Sequence, residues 1–198
     1  AETDLEPEGT QTLQFGRTWN SYNKKWLFSY RQYLTDVQTT IHTLSVYRDN
    51  GRVVRFNDVA GVWTPDADVR DRMVKDGSDW LYIMATGDKE WFDSSGRLLR
   101  IQYVDGGLIT VTYPSNTVVN IADAYGNDID MTLDIMGRVT AMVDPDNQSY
   151  RYAYTVDDNL EYVSYPDATP GASGSNPFGE DNPVRRYHYG DTRNPNLV

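Results

Sequence analysis

The sequence predicts an all-β protein built of antiparallel β-hairpin repeats; the curved, shell-like form of their sheet is an expectation that rests on a resemblance given below. Three observations predict the hairpin repeats. A turn with glycine at its fourth position recurs along the chain, as in Phe92-Asp93-Ser94-Ser95-Gly96-Arg97-Leu98. Between such turns lie runs of roughly 5 to 8 residues rich in β-branched and aromatic side chains, which is hairpin spacing. Aromatics make up 13% of the 198 residues, largely through 15 tyrosines. Tyrosine suits a pleated, half-wet surface, because its ring is apolar and its hydroxyl stays in water.

The turn repeats at Tyr47-Arg48-Asp49-Asn50-Gly51-Arg52-Val53, at Leu133-Asp134-Ile135-Met136-Gly137-Arg138-Val139, and at Tyr154-Thr155-Val156-Asp157-Asp158-Asn159-Leu160. Its fourth positions (Gly51, Gly96, Gly137 and Asp158) stand 45, 41 and 21 residues apart. These spacings fit multiples of a unit of about 20 residues in which some copies have lost their signature, and periods of that size mark stacked arrays.

In chain order, residues 1–11 are acidic and without periodicity and are expected to be disordered. Residues 12–56 carry the N-terminal strands and the first repeat-like turn. Leu13 and Phe15 alternate with polar neighbours, Trp26, Phe28 and Tyr30 share one face, and 41–47 and 52–56 flank Gly51. Residues 57–79, with Pro65, Gly77 and many aspartates, predict a loop insertion with one short helical turn over 68–75. Residues 80–198 carry the repeats, punctuated near Gly87, Gly106, Pro114, Gly126 and Pro145, with a mobile surface loop over 166–183. Strand pattern resumes at 185–189, and the chain stops at Val198 without a returning partner strand. An open edge is normally covered, so these residues are expected to be one piece of a larger β-array.

The formal net charge is −11, with lysine and arginine scattered, which disfavours nucleic-acid binding. No apolar run approaches the roughly 20 residues of a membrane helix, and no signal peptide is read. The absence of cysteine excludes disulfides and thiolate chemistry. His42 and His188 are the only histidines, each in a strand-like run, where cross-strand packing outweighs a catalytic or metal role. Asp66, Asp68 and Asp71, or Asp144, Asp146 and Asn147, could suggest calcium, but neither set has the spacing of an EF-hand loop. Turns favour aspartate for their own hydrogen bonds. Gly171-Ala172-Ser173-Gly174-Ser175 is no nucleophile elbow, because Ser175 replaces the second glycine. No catalytic, cofactor-binding or metal residue is assigned, and no cofactor is expected.

The copies beginning at Tyr47, Phe92, Leu133 and Tyr154 resemble the YD (Rhs) repeat, roughly Tyr-Asp-x-x-Gly-Arg-Leu followed by an aromatic strand. Residues 144–154 look like the lead from one copy into the next. Arg186-Tyr187-His188-Tyr189 with 193–197 resembles a further segment of the family, and Phe15-Gly16-Arg17-Thr18-Trp19 is similar to material that precedes the repeats. Phe92 and Leu133 replace the motif tyrosine, Arg48 and Thr155 its aspartate, and Asp158 its glycine; aspartate tolerates positive φ better than most residues. The resemblance implies a hollow β-shell, secreted or delivered extracellularly, that encloses a C-terminal toxin in bacterial polymorphic toxins. The implied partners are the remainder of a larger Rhs-type chain and its toxin cargo. The family's self-cleaving aspartates are not carried over, since Asp144-Pro145 is not followed by Gly-Leu. The expected function is therefore that of a non-catalytic structural segment. The alternative is a carbohydrate or cell-surface binding module using exposed aromatics, Trp80 and Trp91 among them.

Overall fold

The structure, a computed structural model, describes residues 1–6, 13–169 and 172–190. Among these residues there are eighteen strands and no helix, arranged in three open antiparallel sheets. The first sheet contains β1 (Glu2–Leu5), β2 (Phe15–Asn20) and β3 (Lys25–Phe28). The second contains β4 (Tyr33–Gln38), β5 (His42–Tyr47), β6 (Val53–Val59) and β7 (Val62–Pro65). The third begins with β8 (Arg72–Asp76), β9 (Asp79–Ile83), β10 (Lys89–Phe92), β11 (Leu98–Gln102), β12 (Leu108–Ser115) and β13 (Val118–Asp123). It continues through β14 (Asp128–Leu133), β15 (Val139–Val143), β16 (Ser149–Tyr154), β17 (Leu160–Ser164) and β18 (Val184–Arg186). Each strand in every sheet pairs only with its neighbours in sequence, so all three sheets are meanders.

Turn chemistry explains why the chain reverses where it does. Asp93 Oδ1 accepts the backbone N–H groups of Ser95 and Arg97, both at 2.9 Å, while Gly96 N–H donates to the Asp93 carbonyl. Gly96 has φ +83°, a conformation that glycine adopts without Cβ strain. Asp123, Asp134 and Asp144 accept the corresponding pair of N–H groups at their own turns. Asp158 takes the glycine position at φ 65°.

The turns alternate between two edges of the large sheet. One edge starts its turns at Met84, Tyr103, Asp123 and Asp144; the other starts them at Asp93, Asp134 and Thr155. The 41-residue gap on the second edge holds the missing copy, the β12–β13 hairpin following Tyr113. The 45-residue spacing has a different origin, since Gly51 closes a hairpin of the separate four-stranded sheet.

Two expectations are corrected. Glu2–Leu5 is not disordered; it pairs with β2. Residues 57–79 are no loop insertion and contain no helical turn: β6 and β7 form a hairpin, and Arg72–Asp76 pairs with β9 as the first strand of the large sheet. The described part of 166–183 lies between β17 and β18 without a strand of its own, as the loop expectation has it, and contains a hydrogen-bonded turn. Asn176 Oδ1 accepts the N–H groups of Phe178 and Glu180, Gly179 has φ 78°, and Arg151 pairs with Glu180 at 2.9 Å. Asn176 stands 21 residues after Thr155 and repeats the hairpin device. Gly171 and residues 193–197 lie outside the described residues.

One face of the large sheet is buried. In β14, Ile129, Met131 and Leu133 are buried and alternate with exposed Asp128, Asp130 and Thr132. The two small sheets cover that face. Phe15 and Phe28 pack on Tyr152, Trp26 on Tyr187, Phe56 on Tyr82, and Trp63 edge-on against Trp80. A single hydrophobic cluster joins all three sheets.

Candidate functional site

Repetition extends to side chains. Arg97 Nε donates to Asp93 Oδ2 at 2.8 Å, its guanidinium lies 4.7 Å from the ring centre of Tyr113, and Tyr113 Oη donates to the Leu98 carbonyl. One double unit on, Arg138 Nε donates to Asp134 Oδ2, its guanidinium lies 4.5 Å from the Tyr154 ring, and Tyr154 Oη donates to the Val139 carbonyl. Tyr189 makes the equivalent bond to the Leu160 carbonyl. Tyr113 and Tyr154 thus each tie their own strand to the hairpin before it, and Tyr189 ties the segment after β18 in the same way. Burial raises the phenol of Tyr154 well above its ordinary value, so it remains a donor across the accessible pH range.

A cleft of about 500 Å³ opens where β3 and the β5–β6 turn face the tips of the hairpins at Gly137 and Asp158. Its wall carries the basic residues Lys25, Arg31, Arg48, Arg52, Arg55 and Arg138, against the acids Asp49 and Asp158. Asp158 is shared by Lys25 and Arg138. Arg48 pairs instead with buried Glu90, which also accepts from Gln32. Arg52 stands 3.6 Å from Asp71. Arg31, half-buried, donates to the Gly137 carbonyl at 3.2 Å. Among the described residues no carboxylate pairs with Arg31 or Arg55, and burial pulls the Arg31 guanidinium below its ordinary value. Tyr33 and Tyr47, opposite each other across β4 and β5, stack with ring centres 4.6 Å apart and planes 7° from parallel on the same wall.

A second charged group is sealed. Arg17 is fully buried and bonds Asp4 and Glu2 of β1 and the hydroxyls of Tyr165 and Tyr187. Trp26, Tyr152 and Tyr187 surround its guanidinium with their rings. Burial alone would lower its pKa, but the Asp4 carboxylate overrides that and holds the charge firmly in place. This group clamps the first sheet to Tyr152 of β16 and to Tyr187 just beyond β18.

The residues singled out from sequence are scattered. His42 pairs with Asp36 at 2.6 Å and meets the edge of Trp63, a packing role; His188 is exposed beyond β18. Asp71 is buried and spends its oxygens on Tyr82 Oη and Ala85 N–H, while Asp144 holds its own turn. Among the described residues no group of three or more His, Asp or Glu could hold a metal ion. Trp80 and Trp91 are each only 8% exposed. Lys75 covers the first ring and Arg100 the second, and Trp91 Nε1 donates to Asp76, so these two do not offer the bare faces that the binding alternative would use. Sequence reasoning missed Arg17 and Arg31, whose only local signal is an arginine in an aromatic strand run.

Fold and site together define an all-β hairpin-repeat protein with a basic, aromatic cleft where its small sheets meet the repeat wall. No protein-family model matches the chain, and no curated protein is significantly similar to it.

Proposed function

We propose that this chain is a non-catalytic structural segment of an Rhs/YD-repeat shell, part of a longer protein, secreted or delivered extracellularly, that encloses or delivers a C-terminal toxin. The observation carrying this reading is the recurrence of one set of contacts through the large sheet. Aspartate caps the turn, glycine or aspartate closes it at positive φ, arginine returns to the aspartate, and the next aromatic strand locks onto the arginine. Such a unit adds strands in order without needing distant partners, and repeat arrays grow in this way. The outer edge of β18 has no strand partner among the described residues, so further hairpins can pair there. On this reading residues 13–65 line the wall locally, and the cargo space belongs to repeats beyond β18.

The test is limited proteolysis of the parent protein under native conditions, followed by mass spectrometry. A C-terminal fragment that stays bound and resists protease until the shell is denatured is the expected result. A parent with no further hairpin units and no protected fragment refutes the reading.

A further inference from the structure

We infer that the cleft between Tyr33–Tyr47 and the tips of the Gly137 and Asp158 hairpins binds a small anion that carries a flat ring, its acid group on Arg31, Arg52 and Arg55 and its ring on the aromatic wall. The charge accounting points there first. The protein carries a net charge of −11, yet the cleft wall holds six basic residues and two acidic ones. Three of the six are taken by carboxylates: Lys25 and Arg138 by Asp158, Arg48 by Glu90. Arg52 makes only a long contact to Asp71, while Arg31 and Arg55 have no carboxylate among the described residues. Holding a half-buried guanidinium without a counter-ion opposes folding, because burial disfavours its charged form. An incoming anion would offset that cost. Asp49 on the same wall opposes a highly charged ligand and favours a single acid group.

Shape supports the same ligand. About 500 Å³ lies within the usual range of small-molecule sites, roughly 300 to 1,000 Å³. The stacked pair Tyr33 and Tyr47 is preorganised by strand pairing, and Tyr33 remains 46% exposed, so a ring can pack on it without rearrangement. Guanidinium forks match carboxylate and phosphate geometry, which fixes the acid end. A basic cleft in an acidic protein also concentrates anions from solution. This inference stands apart from the shell reading, since a wall segment can hold such a ligand or lack it.

The shared chemistry, acid plus ring, comes from two sources that calorimetry can separate. Adenosine monophosphate is titrated against adenosine, and 4-hydroxybenzoate against 4-hydroxybenzamide, so that a phosphate and a carboxylate are each carried on a flat ring. At least one acidic member is expected to bind, its neutral counterpart at least about 10-fold more weakly, as for loss of a charge-assisted hydrogen bond. Which acid binds identifies the source. Arg52→Gln and Arg55→Gln alter exposed side chains and are expected to keep the wild-type melting temperature. Together they are expected to weaken binding by about 10-fold or more. Arg31→Gln, checked for folding by circular dichroism, is expected to abolish the preference for acid over neutral ligand. Binding of neither acid at millimolar concentration, equal binding of the neutral partner, or full affinity in the folded variants overturns the inference.

Discussion

Replacing Gly96 with alanine separates two reasons for a glycine. Gly96 and Gly126 both have positive φ, +83° and +90°, so alanine at either is placed in the left-handed region. That strain costs about 1–2 kcal/mol. The surroundings differ. A Cβ on Gly126 meets nothing within 4 Å, whereas one on Gly96 falls 1.8 Å from the carbonyl oxygen of Leu34. Backbone, not a flexible side chain, occupies the space, because Leu34 N–H donates to the Gly96 carbonyl at 2.9 Å and Tyr33 bridges to Arg97. The hairpin must therefore withdraw from β4. Losing that hydrogen bond costs about 0.5–1.5 kcal/mol, and shifting the packed surfaces costs about 1–3 kcal/mol more. Gly96→Ala is thus expected to destabilise by about 2.5–6.5 kcal/mol, and Gly126→Ala by about 1–2 kcal/mol. At roughly 2–4 °C per kcal/mol for a chain of this size, Gly96→Ala should melt about 3–18 °C below Gly126→Ala. Differential scanning calorimetry and urea denaturation with unchanged m-value measure this. Equal melting temperatures for the two variants would show that the contact between β4 and the repeat wall does not hold the small sheet in place.

Asp4→Ala removes the main counter-ion of a fully buried arginine, so urea denaturation should show a loss of about 3–5 kcal/mol. Asp4→Ala with Arg17→Met should recover much of it, and strict additivity of the two would refute the clamp. Tyr154→Phe deletes the 2.8 Å bond to the Val139 carbonyl and should cost about 0.5–1.5 kcal/mol, with Tyr22→Phe, at a site 97% exposed, as a silent control. In acid the turn aspartates decide. Burial would raise the pKa values of Asp93 and Asp134, but hydrogen bonds from Arg97 and Arg138 override it and lower both; Lys25 and then Arg138 lower Asp158. Lowered folded values mean that their stabilisation is present above the unfolded pKa, near about 4, and is lost as pH falls through the folded values. Melting temperature should therefore fall steeply below about pH 4, less so in Asp93→Asn with Asp134→Asn; identical acid profiles would exclude the turns as the cause.

How much was legible in sequence depended on the range of each interaction. The turns at Gly51, Gly96, Gly137 and Asp158 are closed by residues within four positions, so local chemistry identified all four correctly. The turn after Tyr113 is legible at Pro114, but not as a copy of the repeat, because Pro114 stands where the copies at Phe92 and Leu133 carry aspartate. The turn at Asn176 was hidden by its glycine- and proline-rich setting, which reads as loop unless the 21-residue spacing from Thr155 is followed through it. The N-terminal region misled for a different reason. Glu2 and Asp4 look like a solvated acidic tail, and only contacts spanning most of the chain, from Glu2 to Tyr187 and from Asp4 to Tyr152, make them part of the interior.

The same limit governs the cleft. Its groups meet across separations of 133 residues for Lys25 and Asp158 and 106 for Arg31 and Gly137. No period or local motif encodes such a meeting. What the sequence does hold is the cause: repeats that bury one face oblige the chain to cover that face, and here residues 13–65 do so. The cover is two small sheets rather than one continuous strand array, so its border with the hairpin tips does not zip closed. Backbone hydrogen bonds satisfy the sheets on either side and cross the border where Leu34 meets Gly96, while around the cleft the border is filled by side chains, chiefly arginine and tyrosine. A seam of that kind is where an otherwise uniform wall has room for a ligand.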